Sequence, residues 1–258
     1  MMKPTVVMLD EVDSTNTFGR LHFDDYPDGT LIAARFQTAG RGRQGRRWIA
    51  PPGVNFCGSA LLKRLGDGFF GGCIAGLAAL AAVRECVPRL HAYLKWPNDL
   101  CVGDRKLAGI LCESARIAGG KVTGVVAGIG VNVNLDKAAL AAIDQPATSL
   151  LAECGNEIPL NFFTKRVAES LIRYYITYLN RAESIFPEWR SENLLLGERL
   201  TVIEPSGRER SGVFRDLLPD GAMLFETEDS GTVAFRCGDV RIDRAAVDWE
   251  RFERKFRR

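Results

Sequence analysis

The chain has 258 residues, with 34 Lys and Arg against 32 Asp and Glu, a net charge of +2 and 46% hydrophobic residues. That is enough for one large domain, or one plus a small one, around a sizeable core, and the near-neutral balance excludes general affinity for nucleic acid or a membrane surface. Seven cysteines, odd in number and without a C-x-x-C pair, beside only two histidines, exclude a disulfide framework and argue against a zinc site; they read as small buried hydrophobes of a reducing, cytoplasmic protein.

No secretory signal is legible, because residues 1–16 meet acids and polar side chains after a short apolar run. Residues 5–12 (TVVMLDEV) predict a strand, and Asp13 or Ser14 caps a helix that begins in STNTFGRL. Residues 30–37 (TLIAARFQ) form a β-rich run that feeds into an arginine loop, and residues 55–62 (NFCGSALL) form another strand. Residues 69–86 are Ala-rich and predict a mostly buried helix; their apolar run at 73–83 is short of the ~20 residues that span a bilayer. Residues 92–102 (AYLKWPNDLCV) predict a strand interrupted by a turn at Pro97-Asn98-Asp99. KLAGILCES and residues 121–134 (KVTGVVAGIGVNVN) predict two paired strands joined at Gly119-Gly120. Residues 162–179 carry apolar side chains at helical spacing, and 183–196 extend the helical region. After Leu196 the pattern changes. RLTVIE, ERSGVFRDL, AMLFETE and TVAFRC are short strands separated by PSG, PDG and DSG, which predicts a small β-barrel domain over 197–258 after a first domain of 1–196.

Residues 40–48 (GRGRQGRRW) pack four arginines and three glycines into nine positions. GRGRQG satisfies the dinucleotide-binding spacing, yet Pro51-Pro52-Gly53 forbids the helix that must follow, and the acid expected about 20 residues on is missing. A P-loop is absent as well. A solvated surface loop is the plain alternative. Against it, the loop has almost no compensating acid and no apolar anchor before Trp48, so it should be mobile until an anion orders it through guanidinium groups and glycine amides. Lys106, at the start of the apolar strand KLAGIL, either snorkels or reaches a ligand, and the glycines of GIGVNVN permit close approach of one.

The ordered set DSTN, FQTAGRGRQGRRW, KWPNDL, RKLAGIL and GIGVNVN closely resembles the biotin protein ligases, also called biotin–[acetyl-CoA-carboxylase] ligases, from about Leu9 to the C-terminal β-domain. The resemblance implies an α+β fold: a mixed sheet with helices like that of class II aminoacyl-tRNA synthetases, plus a small SH3-like β-barrel. It implies that biotin and MgATP give biotinyl-5′-AMP, and that a lysine of a biotin carboxyl carrier protein domain, in acetyl-CoA carboxylase or another biotin-dependent carboxylase, then takes the biotin. The bifunctional members carry an N-terminal winged helix-turn-helix; here the first catalytic strand starts within ten residues of Met1, so sequence-specific DNA binding is not expected. No membrane association is expected either, and the resemblance admits a homodimer.

Matching the family motifs residue by residue implies that Arg41, Arg43 and Lys106 offset the repulsion between the biotin carboxylate and the α-phosphate, with Lys106, Arg43 and Asp99 as the catalytic set. Ser14, Thr15, Asn16, Gln37, Gly40, Arg41, Gly42, Arg43 and Lys106 would surround biotin, whose uncharged ureido ring needs neutral partners. Arg41, Arg43, Trp48, Asn98, Asp99, Lys106 and Asn132 would line the nucleotide side, with Trp48 against adenine and Lys95 as a further participant. Ser14 as a mere helix cap and Trp48 as a mere core anchor are the plain alternatives. The rival functions are a lipoate-type ligase, a nucleic-acid-binding module and a catalytically dead biotin sensor.

Overall fold

The computed structural model describes residues 3–227, 231–242, 247 and 249–257; the predicted DSG turn and the last residue of AMLFETE lie largely outside them. Seven strands form a mixed sheet: β1 (Val6–Val12), β2 (Leu31–Gln37), β3 (Phe56–Leu62), β4 (Ala92–Lys95), β5 (Asp99–Val102), β6 (Arg105–Ala118) and β7 (Lys121–Val131), in the order β1-β2-β3-β7-β6-β5-β4. β1 and β2 are parallel, and every other pair is antiparallel. The Pro97-Asn98-Asp99 turn folds β5 back on β4, with Lys95 opposite Asp99, and Gly119 and Gly120, both at positive φ, turn β6 into β7.

The strands are apolar on both faces, so each parity packs on a different layer. Leu31, Ala33, Ala60, Leu62, Val125, Ala127 and Ile129 face the main core beneath α2 (Gly68–Cys86), which α5 (Leu160–Asn180) covers in turn. Ile32, Leu61 and Val126 point the other way, into a smaller cluster with Phe23 and Phe18 beside α1 (Thr15–Leu21). The helix predicted over 69–86 forms as α2, one residue longer at its start. At 19 residues α2 is the one described helix long and apolar enough to cross a membrane, yet 61% of its apolar window is buried within this fold. Two short helices that hydrophobic periodicity does not announce, α3 (Lys137–Ala141) and α4 (Leu150–Cys154), follow β7. The helical region expected over 183–196 is a separate, shorter helix, α6 (Ile185–Ser191), because the chain leaves α5 at Arg181 in a non-helical conformation.

Beyond α6 a second, antiparallel sheet has five strands: β8 (Arg199–Ile203), β9 (Glu209–Leu217), β10 (Met223–Thr227), β11 (Gly231–Phe235) and β12 (Asp239–Arg241), ordered β11-β10-β9-β8-β12. The final helix, α7 (Trp249–Arg254), returns to the first sheet: Phe252 meets Tyr93 edge-on at 4.9 Å and Phe256 stacks on His91 at 4.5 Å. Leu200, Val202, Phe214 and Phe225 thereby join the same continuous core as α2.

Candidate active site

Nearly every predicted site residue converges on one cavity of about 430 Å³ on the face of the large sheet that carries α1. A larger cleft of about 1020 Å³, between α6 and the C-terminal helix, contains none of the motif residues. The floor exists because side chains are missing. Gly109 and Gly130 are cross-strand partners in β6 and β7, as are Leu111 and Gly128. Period-2 spacing puts Gly128 and Gly130 on the same face. The Trp48 indole lies over the first glycine pair: a Cβ on Gly130 would sit 2.5 Å from the ring, and one on Gly109 would sit 3.4 Å from it. Trp48 is therefore a wall of the cavity resting on bare backbone, and its buried Nε1 has no hydrogen-bond partner among the described residues.

Around Gly128 the cavity is neutral and densely hydrogen-bonded. Gln37 Oε1 accepts from the Thr15 amide at 2.8 Å, and the Thr15 hydroxyl is 3.1 Å away. Ser59, on the same face of β3, lies 2.7 Å from the Thr15 hydroxyl and 2.6 Å from Asn16 Oδ1. Ser14 occupies the N-cap position of α1 in an extended conformation, but its hydroxyl caps nothing; the expected cap is corrected, and Ser14 instead lines the cavity. Beneath this end, burial pushes the Cys57 thiol up to about 12.

Toward β5 the cavity is cationic. Lys106 Nζ is 2.7 Å from Asp99 Oδ1 and Lys95 Nζ is 3.6 Å from Asp99 Oδ2. Gly109 leaves room for the Lys106 ammonium, which would lie 3.4 Å from a Cβ there. Lys106 is also clamped by its backbone: its amide donates to Pro146 and its carbonyl accepts from Thr148, both at 2.9 Å. This brings Ala142, Asp144 and Gln145 into the wall, which sequence reasoning missed. Asn98 donates through Nδ2 to Ile110 O at 2.7 Å, which leaves its Oδ1 to accept from Arg43 at 3.1 Å.

The arginine loop is a folded turn, with Gln44 and Gly45 at positive φ and the Gly42 amide donating to Arg46 O at 2.7 Å. The expectation of a loop without compensating acid is corrected, because acids arrive from distant strands. Glu113 in β6 pairs with Arg41 at 3.2 Å, and Asp239 in β12 pairs with Arg46. The second sheet closes this side, with Gly238 O 3.5 Å from Arg43 and Val240 O accepting from Lys95 at 2.8 Å. No sequence signal pointed to β12. Glu113 was more accessible, being two residues beyond Leu111 and so on the cavity face of β6.

Three predicted residues stand outside the lining, Lys95 among them, held behind Asp99. Asn132 is buried behind it, donating to Thr148 O at 3.0 Å and accepting from Asn55 at 3.3 Å, so it braces the strand-like segment beside Lys106. Gly40 serves the loop itself: a Cβ there would be 2.7 Å from Trp48 O.

The family model for the biotin/lipoate A/B protein ligase family matches residues 8–132. A biotin--[acetyl-CoA-carboxylase] ligase from Mycobacterium tuberculosis is 34% identical over 221 residues, covering 83% of this chain and 79% of the relative. One from Paracoccus denitrificans is 31% identical, covering 84% of this chain and 92% of the relative. In fold, the chain matches the biotin protein ligase of Aquifex aeolicus solved in complex with biotin and ATP, with a TM-score of 0.75 at 24% identity over 92% of this chain and 98% of that one.

Proposed function

Because the chain belongs to the biotin protein ligase family, we propose that it activates biotin with MgATP to biotinyl-5′-AMP and transfers the biotin to one lysine of a biotin carboxyl carrier protein domain. The observation that carries this reading is the division of one cavity into a neutral, hydrogen-bonding end at Thr15, Asn16 and Gln37 and a cationic end at Arg43 and Lys106.

Adenylation joins a biotin carboxylate oxygen to the α-phosphorus of ATP, and the bond from that phosphorus to the bridging oxygen breaks as pyrophosphate leaves with the electron pair. Two anions must meet, so positive charge held in place before the reaction lowers the barrier. Lys106 and Arg43 supply it. Asp99 holds Lys106 and Lys95 together, and Asn98 orients Arg43. In the second step the neutral amine of the carrier lysine attacks the acyl carbon, the acyl–oxygen bond to AMP breaks, and the amine proton passes to solvent. Arg41, Arg46 and Trp48 cover the mixed anhydride against water. Magnesium arrives with ATP. Bound mainly by phosphate oxygens and water, it would find a carboxylate in Asp144 or Asp239, which line the same cavity.

We assign the chemistry to residues 1–196 and a supporting role to 197–258, and place the reaction in the cytoplasm, where the seven free cysteines stay reduced. A homodimer through the large sheet fits this reading, which calls on neither sequence-specific DNA binding nor a membrane. Incubation with biotin, MgATP and a carrier domain should add the mass of one biotinyl group to one carrier lysine. Lipoate in place of biotin tests the other branch of the family, and a product formed only with lipoate would replace the reading.

A further inference from the structure

Resting on the biotin reading of this cavity, we infer that Glu113 is a positioning residue that fixes the hydrogen-bonding polarity of the neutral end and ties the arginine loop to it. Its Oε2 accepts from two sources at once: Asn16 Nδ2 at 2.7 Å and Arg41 Nη2 at 3.2 Å. Oε1 faces Arg20 Nη1 at 3.4 Å. The side chain is only 20% exposed, so these contacts are partly shielded from water.

The first consequence concerns Asn16. Its Nδ2 has two hydrogens. One goes to Leu111 O at 3.0 Å and the other to Glu113. Neither a carbonyl nor a carboxylate can donate in return, so the amide cannot turn over. Its Oδ1 is held toward Ser59 at 2.6 Å, and a Cβ on Gly128 would lie 2.3 Å from that oxygen. Asn16 therefore offers the cavity no donor, only oxygen lone-pair density, and the ligand group met there must be an N–H or O–H. The second consequence concerns the loop. Arg41 reaches across to β6 through Glu113 and to α1 through the Thr17 hydroxyl at 3.1 Å. One carboxylate oxygen thus links the floor of the pocket to its cover, and losing its charge loosens both.

Glu113→Gln keeps the size and removes the charge. Biotin, measured by calorimetry and stopped-flow on the full chain, should bind about tenfold more weakly, mainly through faster dissociation. The adenylation kcat at saturating biotin and ATP should stay within about threefold, because Lys106 and Arg43 are untouched. Glu113→Asp keeps the charge but shortens the reach, and should fall between parent and Gln. In the ligand-free protein, the Asn16 side-chain amide should exchange slowly in the parent and faster in Glu113→Gln. Gln binding biotin within twofold of the parent, Asp matching the parent where Gln does not fold, or equal Asn16 exchange in parent and variant would each overturn the inference. A parent that binds no biotin would instead sink the ligase reading, and Asn16 exchange would still decide the role of Glu113.

Discussion

The two faces of the seven-stranded sheet share their strands and follow opposite rules. On one face Ala60, Leu62, Val125, Ala127 and Ile129 interlock with α2 and leave no room. On the other, the next positions along the same strands are Ser59, Gly128 and Gly130, with Gly109 and Leu111 beside them, and a cavity opens above. Strand pairing holds the backbone equally on both sides. What differs is whether the side chains fill the space or are withheld from it. A ligand site can therefore sit in the middle of the most rigid element of the fold, where neighbouring atoms have little freedom to drift.

That contrast predicts that damage to one face lowers stability and damage to the other lowers activity. Ile74→Ala, beneath the packed face, removes a side chain of 0% exposure and should cost about 2–5 kcal/mol in denaturant unfolding. The surviving folded molecules should keep their KM for biotin; a matching loss of affinity would show that the faces are coupled. Lys106→Ala should do the reverse, slowing biotinyl-AMP formation by about 10²–10³ while the unfolding midpoint holds. Transfer from supplied biotinyl-AMP should suffer less, since the phosphoanhydride is already broken. Adenylation within a few-fold of the parent would reduce Lys106 to a strand residue with its head in water. Gly130→Ala adds one methyl to the open face, and the indole of Trp48 must move, since the new carbon would lie 2.5 Å from it. A misplacement of that size should lower kcat/KM for ATP by up to about a hundredfold, and an unchanged value would mean that Trp48 does not position the nucleotide.

The smallest effect at neutral pH is thermodynamic. Burial raises the thiols of Cys57, Cys101 and Cys112 from 9.0 to about 12. Above pH 9 the unfolded chain releases protons that the folded one retains, so this contribution is whole below pH 9 and is lost as pH climbs toward 12. Cys57→Ala should flatten that decline in urea titrations across the same window; an unchanged slope would mean that the thiol titrates normally in the fold.

Much of this contrast was legible in the residues. β-rich apolar runs marked the strands of the large sheet, the glycine pair at 119–120 marked their hairpin, and the glycines of GIGVNVN marked a place where a ligand can approach closely. The arginines at 41 and 43 stood out because nothing nearby in sequence neutralised them, and Lys106 because it opens an apolar strand. The acids that pair with the loop arginines were not legible. Glu113 lies 72 positions from Arg41 and Asp239 lies 193 from Arg46, and only the folded topology brings them together. Asn132 sits differently from the floor glycines. It follows the same alternation as the floor glycines, but β7 ends at Val131, and the chain turns its amide inward to Thr148 and Asn55.

The wall contributed by β12 also has a consequence for the order in which the protein is made. A ribosome builds the chain from its N-terminus, so the large sheet, the arginine loop and Lys106 all exist before Gly238, Asp239 and Val240 have been joined. Until then Arg46 has no acid opposite it, Arg43 lacks one of its two acceptors, and Lys95 lacks a carbonyl. The nascent chain thus carries the arginine loop and Lys106 first, and the groups of β12 that pair with the loop only later.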